Sequence, residues 1–542
     1  MSKGVHRRGR ATDACSCLGN ARVDEVNAIQ PFERTELTMD TIVIIDFGGQ
    51  YKELIARRVR ECGVYSVIKP NTVTAQEIRA MAPVGIIFTG GPNSVYQPGA
   101  PTCDPEILKL GIPTLGICYG MQLICWMEGG QVGSCARSEY GTVDATLGDS
   151  ALFTGCGGRS RVLMSHGDQV MAMPEGFRAT ASTELCPIAA FENAALQLYG
   201  VQFHPEVENT ELGSKIIHNF LYGVCGAAGG YSLEDYLAAQ IELVRQQVGN
   251  KRILLGLSGG VDSSVCAALL ARAVPGRLTC IYVDHGLMRK NETAEIRAAF
   301  SKWDLDLVCV DAHERFLKGL AGVTDPEQKR KIIGRLFAQT FEEEARKHGH
   351  VEFLAQGTIY PDVVESGTNS AVIKSHHNVG GLPADLGFEG VIEPLRGLFK
   401  DEVRELGLLL GLGSALVYRQ PFPGPGLAIR IIGEVTQEKL DILREADAIV
   451  REEIGSPGCR ADQYFAVLTD TKSVGVMGDA RTYQYTLALR AVQTNDFMTC
   501  EFVRLPWEKL ARISSRITSE VHGINRVVYD VTSKPPATIE WE

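Results

Sequence analysis

Several things that this sequence lacks narrow its chemistry before any motif is read. No apolar run reaches the ~18 residues that a membrane-spanning helix needs, and residues 1–38 hold no apolar stretch like that of a secretory leader. There is no basic excess: 54 Lys and Arg stand against 65 Asp and Glu, a formal charge of −11. A nucleic-acid binder usually presents a basic face, so nucleic acid is disfavoured as the main partner. Paired Cys-x-x-Cys motifs at zinc-ribbon spacing are missing, as is the Gly-x-x-x-x-Gly-Lys-Ser/Thr of a Walker A loop. Neither an internal repeat nor a low-complexity array is present.

Cysteine is plentiful, with 15 residues scattered mostly through apolar runs, as at Cys266 and Cys280. In a chain of 542 residues this is not a small disulfide scaffold. The expectation is a reduced, cytoplasmic protein without membrane attachment. A hydrophobic fraction of 45% can bury several cores, and at roughly 100–200 residues per domain the length suits three or four domains.

Residues 1–38 are polar and aperiodic, and are read as a disordered tail or as sequence upstream of a natural start at Met39. From Thr41 an α/β pattern begins. Thr41 to Asp46, Gly85 to Thr89 and Pro113 to Ile117 read as buried strands, with helix-like stretches after the first and third. This block runs over 41–225 and ends before the Gly-Ala-rich segment Gly226 to Gly230. A second α/β block covers 231–420, with strands at Ile253 to Leu257 and Leu278 to Val283. Punctuation at Pro421-Phe-Pro-Gly-Pro-Gly426 opens a smaller α+β block, 421–542. The fold class is thus α/β: two doubly wound parallel-sheet domains followed by a small α+β domain.

Cys118 lies in Gly116-Ile-Cys-Tyr-Gly120, between a strand and a helix. A nucleophile on such a turn is strained and exposed, and a helix N-terminus favours the thiolate. A thiol nucleophile needs a base, and the base an orienting carboxylate. His204-Pro205-Glu206 supplies both in a short turn stiffened by proline. With Gly90-Gly91-Pro92, Ser165-His-Gly-Asp168 and Gln202-Phe-His-Pro-Glu206, residues 41–225 resemble a class I glutamine amidotransferase domain. The resemblance implies that Cys118 attacks the glutamine amide, His204 shuttles the proton and Glu206 orients His204. It also implies an oxyanion hole from Gly90, Gly91 and Tyr119, and glutamine contacts from Gln122, Ser165, His166, Gly167 and Asp168.

The second constellation is Ser258-Gly259-Gly260-Val261-Asp262-Ser263-Ser264, a glycine loop that follows a strand and opens a helix. Backbone amides in that setting form an oxyanion cradle, and the hydroxyls of Ser258, Ser263 and Ser264 offer more donors. The segment resembles the pyrophosphate loop of the N-type ATP pyrophosphatases, with ATP as co-substrate and Mg2+ partnered by Asp262. Lys374, His376, His377 and Lys400 would neutralise phosphate charge, with Asp362, Glu365 and Asp401 on metal or ribose. Segments that include 356–383 resemble that family's lid.

The chain end is the third. Ser473 to Asp479, Arg526 to Asp530 and Lys534-Pro-Pro-Ala-Thr-Ile-Glu-Trp-Glu542 resemble the dimerisation domain of the GMP synthetase family, which implies a homodimer through 421–542. Lys534 suits a 5′-phosphate and Glu540 purine N–H groups. The resemblance adds Arg330, Gln463 and Ile539 as contacts to XMP (xanthosine monophosphate). Its implied activity moves ammonia from glutamine onto adenylated XMP. Two other readings remain at this point: a pyrophosphate-loop enzyme acting on tRNA, and a non-catalytic nucleotide binder.

Overall fold

The computed structural model of the protein describes residues 39–365, 388–455, 461–477, 479–494 and 499–542. The tail at 1–38 lies outside them. The apolar run after Met39 forms β1 (Thr41–Asp46), with Ile42 to Ile45 fully buried. A strand covered on both faces carries a continuous apolar run rather than an alternating one. β1 pairs in parallel with β2 (Tyr65–Pro70) and β3 (Gly85–Phe88), β3 with β4 (Thr114–Ile117), and β4 with β9 (Leu198–Val201). Helices α1 (Lys52–Glu61), α2 (Ala75–Met81), α3 (Tyr119–Met127) and α4 (Gly213–His218) complete this half.

Beyond β9 the sheet turns antiparallel, through β8 (Ala190–Asn193), β7 (Arg178–Ser182), β5 (Gln131–Leu147) and β6 (Arg159–Ala172). This flank extends the parallel arrangement that the strand–helix alternation announces. Much of β6 alternates buried and exposed residues, so its apolar signal is diluted. Ser165 to Asp168 belong to β6 rather than to a free turn, because β5 pairs alongside them across a register irregularity between Ser134 and Glu139.

The second body is a five-stranded parallel sheet in the order β12-β11-β10-β13-β14. Its strands are β10 (Ile253–Gly256), β11 (Leu278–Asp284), β12 (Asp306–Asp311), β13 (Phe353–Ala355) and β14 (Gly390–Ile392). Its helices are α5 (Leu233–Val248), α6 (Val261–Ala273), α7 (Glu292–Phe300), α8 (His313–Leu320), α9 (Pro326–Ala345), α10 (Tyr360–Glu365), α11 (Lys400–Leu410) and α12 (Ser414–Val417). Local chemistry sets several starts: Ser232 caps α5 through Asp235 N, and Asp325 caps α9 ahead of Pro326. The strand order reverses at β10, between β11 and β13, and ligands of open α/β sheets bind where such a reversal opens a crevice.

The third body holds α13 (Gln437–Ile454), the long hairpin β15 (Gln463–Met477) and β16 (Ala480–Gln493), β17 (Glu501–Phe502), α14 (Trp507–Glu520) and β18 (Ile524–Tyr529). β16 pairs antiparallel with β15 and β17 and parallel with β18. Leu443, Val450, Ile513 and Ile517 of the two helices pack on Ala466, Leu468, Leu487 and Leu489. The same apolar core runs on to Leu254, Ile281 and Val283 of the second sheet.

Candidate active site

Three adjacent strand ends of the first sheet build the thiol centre. Cys118 follows β4, Gly90 follows β3 and His204 follows β9, and Cys118 N donates to Val201 O at 2.8 Å to lock two of these ends together. Cys118 has φ +54°, a conformation that side chains rarely adopt, and it caps α3. The strain is held by close packing: a Cβ on Gly116 would lie 2.5 Å from the Gly120 backbone, and one on Gly120 2.5 Å from Phe88 O. At Gly90 a Cβ would sit 3.5 Å from His204 Cε1 and 4.0 Å from Cys118 Cβ, so bare backbone faces the space between thiol and imidazole. The first amides of α3, from Tyr119 on, are those that no helical carbonyl satisfies.

His204 Nδ1 and Glu206 Oε1 are 2.7 Å apart, and both residues are buried. Burial disfavours the imidazolium, but hydrogen bonds to Cys118 and Glu206 outweigh it and push the His204 pKa up to about 11. Thr210 Oγ1 donates to His204 O at 2.6 Å, and Arg58 Nε of α1 donates to Glu206 O at 3.0 Å. The rings of Tyr51 and His204 pack in a T shape, their centroids 5.2 Å apart. The Gln122 amide donates to Asp168 O at 2.8 Å and to Gln202 Oε1 at 3.1 Å. His166 is buried beside Glu139, with 3.4 Å between Nε2 and Oε2, and burial keeps its pKa below the usual imidazole value. Asp168 accepts from Tyr96 OH at 3.0 Å.

The serine loop stands at the reversal of the second sheet. Its helix starts earlier than the motif suggests: α6 begins at Val261 with Gly260 as N-cap, so only Ser258, Gly259 and Gly260 form the loop. Gly259 adopts φ +78°. Ser258 Oγ and Ser263 Oγ are 2.9 Å apart, and Gly260 N donates to Ser258 Oγ at 3.3 Å. Ser264 is fully buried and its hydroxyl has no partner. It therefore does not join the exposed donors expected of it, because it already lies within the first turn of α6, on the side that faces the core. Lys400 Nζ meets both oxygens of Asp262 at 2.6 Å. Arg419, which the motif itself does not include, donates to Gly259 O at 2.5 Å and to Glu292 at 2.8 Å. Asp362 accepts from Ile359 N at 3.1 Å, within its own turn. Asp401 pairs with Arg57 of α1 at 3.6 Å, so the structure does not place it on the loop. The side chain of Glu365, and Lys374, His376 and His377, lie outside the described residues.

The chain end docks at the seam between the second and third bodies. Arg430 grips both oxygens of Glu540, at 3.0 and 2.7 Å, and Gln463 donates to the same carboxylate at 3.0 Å. Ile539 is buried with Phe465, Val467 and Val492. Arg330 donates to the main-chain oxygen of Glu542. The Glu542 side chain meets the buried Lys329, which also donates to Ile431 O at 2.7 Å. Lys534 pairs through its backbone with Cys500, at 2.9 and 3.0 Å. Arg330, Gln463, Ile539 and Glu540 are thus brought into one neighbourhood. Arg430 and Lys329 are additions that a sequence scan gives no reason to link to the tail, more than 100 residues away.

A fourth cluster joins the first two centres. Arg60 of α1 is buried, ion-paired with Glu402 of α11, and set over the rings of Tyr65 at 4.8 Å, Tyr360 at 5.3 Å and Phe399 at 4.7 Å. Burial opposes its charge, but Glu402 and the surrounding tyrosines hold the Arg60 pKa above the usual value. One helix, α1, therefore touches Glu206 through Arg58 and α11 through Arg57 and Arg60, and α11 begins with the lysine that holds Asp262.

Known proteins can be set beside this geometry. A family profile described as glutamine amidotransferase class-I matches residues 43–224, one described as NAD synthase matches 233–325, and one described as GMP synthase C terminal domain matches 453–541. The chain is 57% identical over 511 residues to the GMP synthase [glutamine-hydrolyzing] of Clostridium botulinum, covering 93% of this chain and 99% of that protein. It is 56% identical over 509 residues to the protein of the same description from Lactobacillus johnsonii, covering 93% and 98%. Among solved structures, a glutamine amidotransferase from Thermotoga maritima is 18% identical, covering 39% of this chain and 84% of that one, with a TM-score of 0.26.

Proposed function

Since the chain belongs to the glutamine-hydrolysing GMP synthases, we propose how its own residues divide that work. The enzyme is an ATP-dependent ligase with glutamine, ATP and XMP as substrates. It hydrolyses glutamine and transfers the ammonia to C2 of adenylated XMP, leaving GMP, glutamate, AMP and pyrophosphate.

The Cys118 sulfur attacks the glutamine amide carbon. Its displaced proton resides on His204, which Glu206 holds in a donating tautomer and stabilises as imidazolium. The developing oxyanion takes backbone N–H groups from Gly91 and Tyr119, with Gly90 leaving room for it. The C–N bond breaks, ammonia leaves with the proton from His204, and water resolves the thioester. Gln122, Ser165, His166, Gly167 and Asp168 form the glutamine-holding wall, Gln122 acting through Gln202 and Asp168 as much as directly. The single observation that carries this half is the His204–Glu206 contact of 2.7 Å beside a strained Cys118.

In the other half the loop Ser258–Gly260 and the start of α6 through Ser263 cradle the phosphates, and the C2 oxygen of XMP attacks the α-phosphate. Pyrophosphate departs, and ammonia then displaces AMP. Lys400, together with Lys374, His376 and His377, neutralises phosphate charge. Among the described residues no group of three or more His, Cys, Asp or Glu side chains forms a metal cage. Asp262 beside a phosphate cradle suits a magnesium ion held by one carboxylate, nucleotide phosphates and water. Asp262 would hold Mg2+, which when bound supplies charge neutralisation. Because Lys400 now occupies that carboxylate, nucleotide entry requires the lysine to change partner. Asp362 and Glu365 act as secondary groups near nucleotide or metal. XMP lies against Arg330, Gln463, Ile539, Glu540 and Lys534.

This reading divides the chain at 41–225, 231–420 and 421–542, with 1–38 as an extension. It makes the protein a cytoplasmic homodimer through its last block. No helix among the described residues is long and apolar enough to cross a membrane. Free ammonia is mostly protonated at neutral pH, so shielded transfer between the two halves is required. The test is a product assay with XMP, ATP, magnesium and either glutamine or ammonium. GMP and pyrophosphate should appear in equal amounts with both nitrogen sources, and failure to convert XMP with either would sink the reading.

A further inference from the structure

Gln202 is fully buried; its amide oxygen supports Gln122 of the glutamine wall, while its N–H has no role in the triad or the wall. It stands two residues before His204, in the bent segment directly after β9. Gln202 and His204 both turn toward Cys118, each with a hydrogen bond to its sulfur, while Phe203 between them is buried in the core. Gln202 Nε2 lies 3.6 Å from Cys118 Sγ, a hydrogen-bond distance for sulfur.

The amide orientation is fixed. Gln202 Oε1 accepts from Gln122 Nε2 at 3.1 Å, and that same Gln122 amide donates to Asp168 O at 2.8 Å. Flipping Gln202 would set two NH2 groups against each other, since both would be donors. The chain Gln122–Gln202–Cys118 therefore delivers an N–H to the sulfur. The thiol has a second contact: Cys118 Sγ lies 3.8 Å from Ser165 O. A neutral S–H can donate to that carbonyl. A thiolate cannot, and needs a donor. Burying a primary amide is costly unless it is hydrogen-bonded, and an apolar side chain would fill the same space more cheaply.

We propose that Gln202 is a catalytic residue of the glutamine half, its side-chain N–H stabilising the Cys118 thiolate before attack and again when the thioester releases it. Gln202 itself gains and loses no proton or covalent bond. The inference rests on the reading of Cys118 as nucleophile.

The test uses the full-length enzyme carrying Gln202→Met, which keeps the length and removes the donor, and Gln202→Glu, which sets a carboxylate against the sulfur. Alkylation of Cys118 by iodoacetamide at pH 7 is followed by peptide mass spectrometry, with glutamine-dependent and ammonium-driven GMP formation measured on the same preparations. With Gln202→Met, alkylation and glutamine-dependent kcat should both fall about 10- to 100-fold, the range for a hydrogen bond to a charged group. Gln202→Glu should lose more, and ammonium-driven synthesis should persist in both. Wild-type alkylation and turnover in Gln202→Met would overturn the proposal. So would parallel loss of ammonium-driven synthesis in both variants, which would make Gln202 structural. Undiminished glutamine use by Cys118→Ala would instead refute the underlying reading.

Discussion

The thiol centre and the nucleotide centre are built on opposite plans. The first is complete at rest. Cys118, His204 and Glu206 come from two strand ends that already pair, and their hydrogen bonds are in place. The second is assembled from residues far apart in sequence, and its charges are occupied by internal partners: Asp262 by Lys400, Glu540 by Arg430, and Arg330 by the chain end. Covalent catalysis by a thiolate needs a fixed geometry whether or not substrate is bound. Recognition of polyanions needs cations, and a half-buried charge without a partner is costly. On the proposed reading, such a site keeps its charges paired until substrate takes over one partner. The two plans meet in α1 and α11, where Arg57, Arg58 and Arg60 link the second centre's lysine-bearing helix to the backbone of Glu206.

The contrast can be broken in several ways. The largest effect belongs to Cys118→Ala: glutamine-dependent synthesis should fall by at least about 10^4-fold, while ammonium-driven synthesis stays near normal. If both activities vanished together, the centres would not be separable. Asp262→Asn should lower synthesis about 10^2- to 10^3-fold with either nitrogen source, the scale of removing one charge-stabilising contact. Normal ammonium-driven turnover would remove Asp262 from the second centre.

Glu402→Gln sharpens the join between the two. Arg60 then loses its buried partner, and the glutamine-dependent rate should drop about 5-fold or more relative to the ammonium-driven rate, the usual scale of coupling between sites. An unchanged ratio would mean that α1 is only scaffolding. The smallest effect is in pH. Because His204 sits near 11, above its ordinary 6.5, its contribution to stability is full below pH 6.5 and is lost as pH rises through about 11. The difference in thermal unfolding between the native protein and His204→Asn should shrink steadily from neutral toward alkaline pH. A difference that widened would contradict the assignment.

How much could be read beforehand differs in the same way between the regions. The thiol centre was legible because its pieces are local: Gly116 to Gly120 is one turn, and His204 to Glu206 another. The antiparallel flank was not, since half-solvated strands such as β6 lack a continuous apolar run. Ser264 was misjudged because α6 begins at Val261, three residues ahead of it, and so turns its hydroxyl from solvent into the core. Arg419, Arg430 and Lys329 carried no signal of their own, because a lone basic residue in sequence looks like any solvated charge.

The chain alone determined the candidate motifs: a thiol on a strand–helix turn, a His-Pro-Glu segment and a glycine-serine loop each need only a few neighbouring residues to declare themselves, since turn and cap preferences act over a handful of bonds. Tertiary structure alone decided which charges face one another. Lys400 reaches Asp262 across 138 residues, Arg430 reaches Glu540 across 110, and Gln202 reaches Cys118 across 84. Coulombic and hydrogen-bonding partners are chosen by distance in space, and that distance is set by how the sheets stack strands remote in sequence side by side.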